Sequence, residues 1–409
     1  MVDQKLRARR LTRVGGPVAA GLAVLLALSA CGGSIGGGSD GGDGGSGDPG
    51  PLKIGMLAPI TGPAAPEGIA LQRGFDLAIE HINDDGGVFG QPVEVVFIDD
   101  QADPATATQA AQRLVQQEEV DYIFGTITDD TTIAAATVAD QAGVPMSQAI
   151  ATALDYCSPH FWPFGETPTQ LLTDLVPRMV EEFGGNVALV GNDYVFPRTY
   201  HEVSTQLIEE AGGTVVAEEY SPLGTSDWQP IITRLQGAEP DWILSAVVGG
   251  DAVSFVQQAD QFGLLEGRGL TGVSVDQQFY PALAPQLEGR SQVVRYTDQL
   301  DSELNATFVE AYREAYDTQE PIPGVAGNAY DGMRFIAEAF EQAGSTDAEA
   351  VSEQIAEMEF EGLGGPVGFD PDNHVVQAPM YLTSIEAGSP YAVVEELGVV
   401  TDEQEKDCA

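Results

Sequence analysis

Between Val187 and Gln236 the chain reads VALVGNDYVFPRTYHEVSTQLIEEAGGTVVAEEYSPLGTSDWQPIITRLQ, and this run constrains the fold more than any other. Val187–Val190 is a continuous apolar run, broken at Gly191-Asn192-Asp193. An amphipathic helix follows and stops at Gly212-Gly213. A second β-rich run, Thr214–Tyr220, leads through a polar turn to another helix beginning near Asp227. Strand, helix, strand, helix in this order favours a parallel sheet. In such sheets ligands bind where loops leave the carboxyl ends of the strands. The loop Asn192–Phe196 is such a place, and Pro197 fits the first turn of the next helix, where its missing N–H is not needed.

The same residues carry a resemblance. Gly191-Asn192-Asp193-Tyr194-Val195-Phe196-Pro197-Arg198, then Gly212-Gly213-Thr214-Val215-Val216, Glu218-Glu219-Tyr220 and Pro222-Leu223-Gly224, resembles the urea/short-chain amide branch of the Leu/Ile/Val-binding protein family. Those are the substrate-receiving lipoproteins of ABC importers. Ala78-Ile79-Glu80-His81-Ile82-Asn83, Gly86-Gly87-Val88-Phe89-Gly90, the Cys157-Ser158-Pro159 passage and the run Phe360–His374 extend the likeness from Leu52 to about Glu395. The resemblance implies two doubly wound parallel-sheet α/β lobes joined by three hinge crossings, of the type I periplasmic-binding-protein kind. Residues 52–164 with 297–362 are expected in lobe one, and 165–296 with 363–409 in lobe two.

The first thirty residues read as an export signal. Lys5, Arg7, Arg9, Arg10 and Arg13 precede a short apolar run from Val18 to Ala30, too short to span a bilayer. Leu28-Ser29-Ala30-Cys31 matches a bacterial lipobox, so Cys31 is the expected lipidation site and the mature chain is expected on the outer face of the membrane. Residues 31–51 are almost only Gly, Ser, Asp and Pro, a composition that buries no apolar area and reads as a flexible tether.

Charge excludes a partner class. The chain has a net charge of −46, and without the first thirty residues 12 basic residues face 62 acidic ones. Such a body is repelled by phosphate backbones, so no nucleic acid is expected. The roughly 350 residues beyond the tether exceed what one core supports and suit two domains.

The α/β alternation begins at Lys53–Ile60. Phe75, Ala78, Ile79 and Ile82 then form one buried helical stripe ended by Gly86-Gly87. Asp103-Pro104 reads as N-cap and N1 of the next helix. The resemblance places a small ligand between the lobes. It would touch Thr61 and Gly62, then Thr126, Thr128 and Asp129 on one side, and Tyr194, Phe196, Gly249, Asp251 and Asp276 on the other. Where the urea/amide branch has an aromatic and a serine, this chain has Ile127 and Asp129. That departure favours a ligand carrying N–H donors or positive charge. Asp129 or Asp130 as a cap of the helix starting there, and Asp251 as a plain N-cap, are the competing structural readings.

Enzyme signatures are missing. No nucleophile elbow, P-loop, dinucleotide fingerprint or H-E-x-x-H occurs. The four histidines have no metal-ligand spacing, and His81 and His201 read as surface residues of helices. No cofactor or metal is expected. Cys157 and Cys408 are the cysteines left after lipidation; export permits a disulfide, but their separation favours two free thiols. The reading is a lipid-anchored solute-binding protein that delivers an amino acid, amide or urea-like solute to ABC permease subunits by hinge closure. A ligand-sensing lipoprotein is the alternative, and a secreted hydrolase the weakest.

Overall fold

The computed structural model describes residues 50–154, 156–402 and 408. The export signal, Cys31 and residues 31–49 of the tether lie outside the described residues. Pro51 is exposed and Leu52 fully buried, so the packed body starts at Leu52.

The first lobe is built from β1 (Lys53–Leu57), α1 (Ala65–Asp84), β2 (Glu94–Ile98), α2 (Pro104–Arg113), β3 (Tyr122–Gly125), α3 (Asp129–Ala142) and β4 (Met146–Ser147). The strands form a parallel sheet in the order β2-β1-β3-β4. Alternation along β1 and β3 explains why helices cover both faces. Ile54, Met56, Tyr122 and Phe124 enter one core, while Leu57 and Ile123 enter another with α2 and α3 residues. As the Asp103-Pro104 reading requires, Asp103 caps α2 by accepting from Thr106 N–H, at 2.8 Å.

The chain then crosses and builds the second lobe. Its elements are α4 (Pro168–Leu172), α5 (Leu175–Phe183), β5 (Asn186–Asn192), α6 (Val195–Glu210), β6 (Thr214–Ser221), α7 (Gln229–Gly237), β7 (Trp242–Ala246), α8 (Gly249–Gln261), β8 (Gly269–Gly272) and α9 (Tyr280–Leu287). The sheet order is β6-β5-β7-β8, again parallel. Val187 and Leu189 point to one core, Ala188 and Val190 to the other, so the apolar run of β5 is the doubly covered centre of this lobe.

β9 (Ser291–Val294) leads back to the first lobe, where α10 (Glu303–Tyr316), α11 (Gly324–Ala343) and α12 (Ala348–Glu357) complete the core. α1 and α11 approach so closely that a Cβ at Gly74 would lie 2.0 Å from the Ala326 carbonyl oxygen. β10 (Phe360–Gly362), β11 (Gly365–Phe369) and β12 (Val376–Gln377) follow as a small sheet. The chain finishes with the hairpin β13 (Pro379–Glu386) and β14 (Ser389–Val399), and β13 pairs antiparallel with β9.

Three expectations need correction. Residues from 363 were assigned to lobe two, yet Leu363, Val367, Phe369 and Val376 are buried in the first lobe's core. Phe369 packs against Trp162, Phe164 and Phe335, and the change of lobe comes near Pro379, since Met380 and Ile385 enter second-lobe cores. Cys157 and Cys408 are joined in a disulfide, not free. The tail reaches its partner because Cys408 N–H donates to the Asp372 carbonyl in the β11–β12 turn, at 3.0 Å. His201 is fully buried, not on the surface. Its Nδ1 lies 3.0 Å from the Tyr220 hydroxyl, and burial pushes its pKa down to about 4.

Candidate ligand-binding site

Between the lobes lies a cavity of about 1000 Å³, counting the part continuous with solvent. That is the size of a small-molecule site. The segment after β1 contributes Ala64 and Glu67, and the β3–α3 loop contributes Ile127 and Thr128. From the second lobe come Tyr194 and Phe196 at the start of α6, Val248 before α8, and Asp276 and Gln278 after β8. The hinge side is closed by Ile150 and Glu166 of the first crossing, Gln292, Val293, Val294 and Tyr296 of the second, and Val325 and Asn328 of α11. Every βα loop involved leaves the carboxyl end of its strand, the position expected for ligands in open parallel sheets.

The walls are largely apolar, and the polar groups among them include three carboxyl groups, Glu67, Glu166 and Asp276. Glu67 is 2% exposed. Its Oε1 accepts from Gly249 N–H at 2.7 Å and from the Gln278 side-chain amide at 3.3 Å, while Oε2 has no partner. Burial first, then the charges of Asp276 and Asp251, push its pKa up to about 7 against two backbone hydrogen bonds that lower it. Asp276 accepts from Gln278 N–H at 3.1 Å, and burial pushes it up to about 6. Glu166 accepts from the Asn328 amide at 2.9 Å and lies 3.9 Å from the Arg295 guanidinium. Burial, with the charges of Asp129, Glu67 and Asp130 behind it, holds the Tyr194 phenol well above its ordinary pKa, so it stays a neutral donor.

The lobes touch across this cavity. Glu67 on α1 takes the N–H of Gly249 on α8, and the Asp130 carboxylate accepts the backbone N–H of Val195 on α6. Each is a first-lobe carboxylate at the amino end of a second-lobe helix, the favourable place for negative charge. Gly249 sits at φ +60°, and a Cβ there would lie 2.3 Å from the Pro63 carbonyl oxygen. Glycine alone allows this approach. The structure is therefore a closed arrangement of the lobes.

The candidate residues named from sequence divide into two groups. Thr128, Tyr194, Phe196 and Asp276 line the cavity, and Gly249 abuts it through Glu67. Thr61, Gly62, Thr126, Asp129 and Asp251 do not line it. Thr61 donates to Asp99 at 2.7 Å on the exposed side, and Gly62 is exposed beside it. Thr126 is buried beneath the loop, its hydroxyl bonded to those of Thr131 and Thr132. Asp129 braces the first crossing, accepting from Thr152 Oγ1 and Ala153 N–H, both at 3.1 Å. The cap of α3 is Thr128, neither Asp129 nor Asp130. Asp251 does not cap α8, whose N-cap is Val248. It accepts from Asn192 Nδ2 and from the N–H groups of Gly224 and Thr225, tying the β5 and β6 ends together.

Glu67, Glu166, Gln278, Gln292, Tyr296 and Asn328 line the cavity and were not singled out from sequence. Glu67 had a usable signal, an acid in the first turn of the helix after strand one, and Gln278 lies in the loop of Asp276. The other four come from crossings and from α11, and only the tertiary arrangement brings them in.

Two α/β lobes, linked by crossings and meeting over a solute-sized cavity, define a hinged solute-binding protein. The chain belongs to the periplasmic binding protein family, whose model matches residues 51–390. It is similar to Leu/Ile/Val-binding protein homolog 6 of Brucella abortus (strain 2308), with 28% identity over 343 residues, covering 82% of this chain and 87% of the relative. Homolog 7 of Brucella suis biovar 1 (strain 1330) is 25% identical over 374 residues, 86% of this chain and 93% of that one. Among solved structures, the branched-chain amino acid transporter substrate-binding protein LivJ of Streptococcus pneumoniae, in complex with isoleucine, superposes with a TM-score of 0.74 at 25% identity, covering 86% of this chain and all of that one (100%). A solute-binding protein of an ABC transporter from Rhodopseudomonas palustris BisB5, in complex with 3,4-dihydroxybenzoic acid, shares the fold at a TM-score of 0.79 and 24% identity, covering 86% and 98%.

Proposed function

We propose that this chain is the lipid-anchored receptor of an ABC importer, capturing a small solute with an apolar body and a nitrogen-bearing end. The observation that carries this reading is the cavity between the lobes, to which both lobes and the hinge contribute side chains. A ligand closes a hinged protein only through contacts made better in the closed form, so residues from both lobes must touch it. Ile127, Ile150, Phe196, Val294 and Val325 accept the apolar body, and the acceptors on Glu67, Asp276 and Gln278 take its N–H groups. Urea has no apolar part to cover these walls, which argues against the narrow urea/amide reading. Relatives named for Leu, Ile and Val support the broader one. Cys31 would hold the body at the membrane, where the closed lobes meet the permease.

Tyr194 reaches the cavity from the second lobe, and Thr128 lines it from the first. Tyr194→Ala should weaken binding of a ligand found by thermal-shift screening at least tenfold, with the unfolding midpoint of the ligand-free protein within about 2 °C of wild type. Equal affinity by titration calorimetry would remove Tyr194 from the site.

A further inference from the structure

We propose that the cleft selects a cationic solute: an amine, amidine or guanidine on a compact apolar body, with no carboxylate of its own. The assignment rests on the solute-binding reading and narrows its ligand.

Glu67, Glu166 and Asp276 line one cavity, and no Lys, Arg or His lines it among the described residues. Arg295 stands 3.9 Å from Glu166 and offsets that one charge. No cation lies within ion-pair distance of Glu67 or Asp276 among the described residues. The charged and titratable groups facing Glu67 are the Asp276 and Asp251 carboxylates and the Tyr194 phenol. Those facing Asp276 are Glu67, Glu166 and the Tyr391 phenol, with the Gln292 amide beside it.

Unsatisfied atoms line the same cavity. Glu67 Oε2, Gln278 Oε1 and Gln292 Oε1 have no partner, and neither has the Tyr296 hydroxyl, which can donate or accept; the Glu67 oxygen is an acceptor once its carboxyl is ionised. Glu67 is 2% and Gln292 8% exposed, so water access is small. Buried acceptors are costly unless paired, so the ligand must bring donors. A ligand carboxylate would add negative charge beside three carboxyl groups in a cavity that no cation lines among the described residues. The Thr128 hydroxyl is already bonded to Thr131, which leaves neutral phenols such as Tyr194 and Tyr296, and no cation among the described residues, to meet such a group.

Burial pushes Glu67 up to about 7 and Asp276 up to about 6. A cation beside them favours their ionised forms, so its binding at pH 6.5 releases protons; an anion makes the site take protons up. The test uses the purified full chain in detergent and two matched series: isoamylamine, leucine and isovalerate, then phenethylamine, phenylalanine and phenylacetate. Calorimetry in two buffers of different ionisation enthalpy reads both affinity and proton count. The amine should bind at least tenfold tighter than its amino acid and its acid, with proton release. Glu67→Gln combined with Asp276→Asn should weaken it at least tenfold and leave any binding of the acid no weaker. Tighter binding of an acid or amino acid, or proton uptake, overturns the cationic assignment and leaves the solute-binding reading standing. A parallel thermal-shift arm uses deproteinised nutrient broth split on ion-exchange resins. Stabilisation by the cation-exchange eluate supports the assignment, and stabilisation by the anion-exchange eluate or the unretained fraction refutes it. No stabilisation by any fraction sinks the solute-binding reading as well.

Discussion

Glu67 joins two roles in one side chain, because it bonds to the opposite lobe and leaves one oxygen free toward the cavity. Its folded pKa of about 7 lies above the ordinary 4.5, so the native state prefers the protonated form. Stability from this group is therefore complete below pH 4.5 and is lost as pH rises toward 7. A raised pKa of this size is worth about 3 kcal/mol. Glu67→Gln keeps an oxygen for Gly249 N–H but does not titrate. The ligand-free variant should lose less stability than wild type between pH 4.5 and 8 in denaturant titrations, and identical pH profiles would rule the group out. Gly249 offers a separate test. Gly249→Val places side-chain carbon against the Pro63 carbonyl at a positive φ, so the closed form should be blocked while each lobe folds. The variant should stay expanded in small-angle scattering with any stabilising ligand present, and its affinity should fall at least tenfold.

At the scale of elements, the loops after β5, β6 and β7 are held as a unit by one carboxylate. Asp251 takes three donors, from Asn192, Gly224 and Thr225, and Asn192 Oδ1 in turn accepts Val248 N–H at 2.9 Å. Without Asp251 these donors lose their acceptor, at a cost of about 3 kcal/mol in total. Asp251→Ala should lower the unfolding free energy of the ligand-free protein by that order. A neutral substitution would mean that the loops repack without it. The candidate site was partly legible at this scale. The βα-loop rule located Tyr194 and Phe196, because the pattern of strand and helix fixes where loops emerge, and the family resemblance added Thr128 and Asp276. The same resemblance proposed Asp251 and Asp129, whose carboxylates turn away to satisfy other donors, a choice made by neighbours distant in sequence.

For the whole molecule, the crossings matter as much as the lobes. Glu166, Arg295 and Asn328 meet at the hinge from the first crossing, the second crossing and α11. The Cys157–Cys408 disulfide ties the first crossing to the chain's end across 251 residues of sequence. Cross-linking a long loop stabilises mainly by restricting the unfolded chain, typically by about 2–4 kcal/mol. Reduction, or Cys157→Ser, should therefore lower the calorimetric unfolding midpoint by several degrees, and an unchanged midpoint would make the bond a passive clip on the tail.

The sequence by itself determined the architecture. Apolar runs bounded by glycine, alternating with 3.6-period helices, leave a parallel sheet buried on both faces as the way to cover their side chains, and repeating the pattern on each side of a crossing gives two lobes. It also carried the family, through ordered runs such as Gly191–Arg198. The tertiary structure alone decided which polar groups face the solute. Glu67, Glu166 and Asn328 are each made a cavity residue by burial and by hydrogen bonds to partners that no local spacing encodes. The disulfide and the burial of His201 have the same origin. Backbone periodicity is a local property, whereas the direction in which a carboxylate or a thiol finds its partner is settled when remote segments pack together.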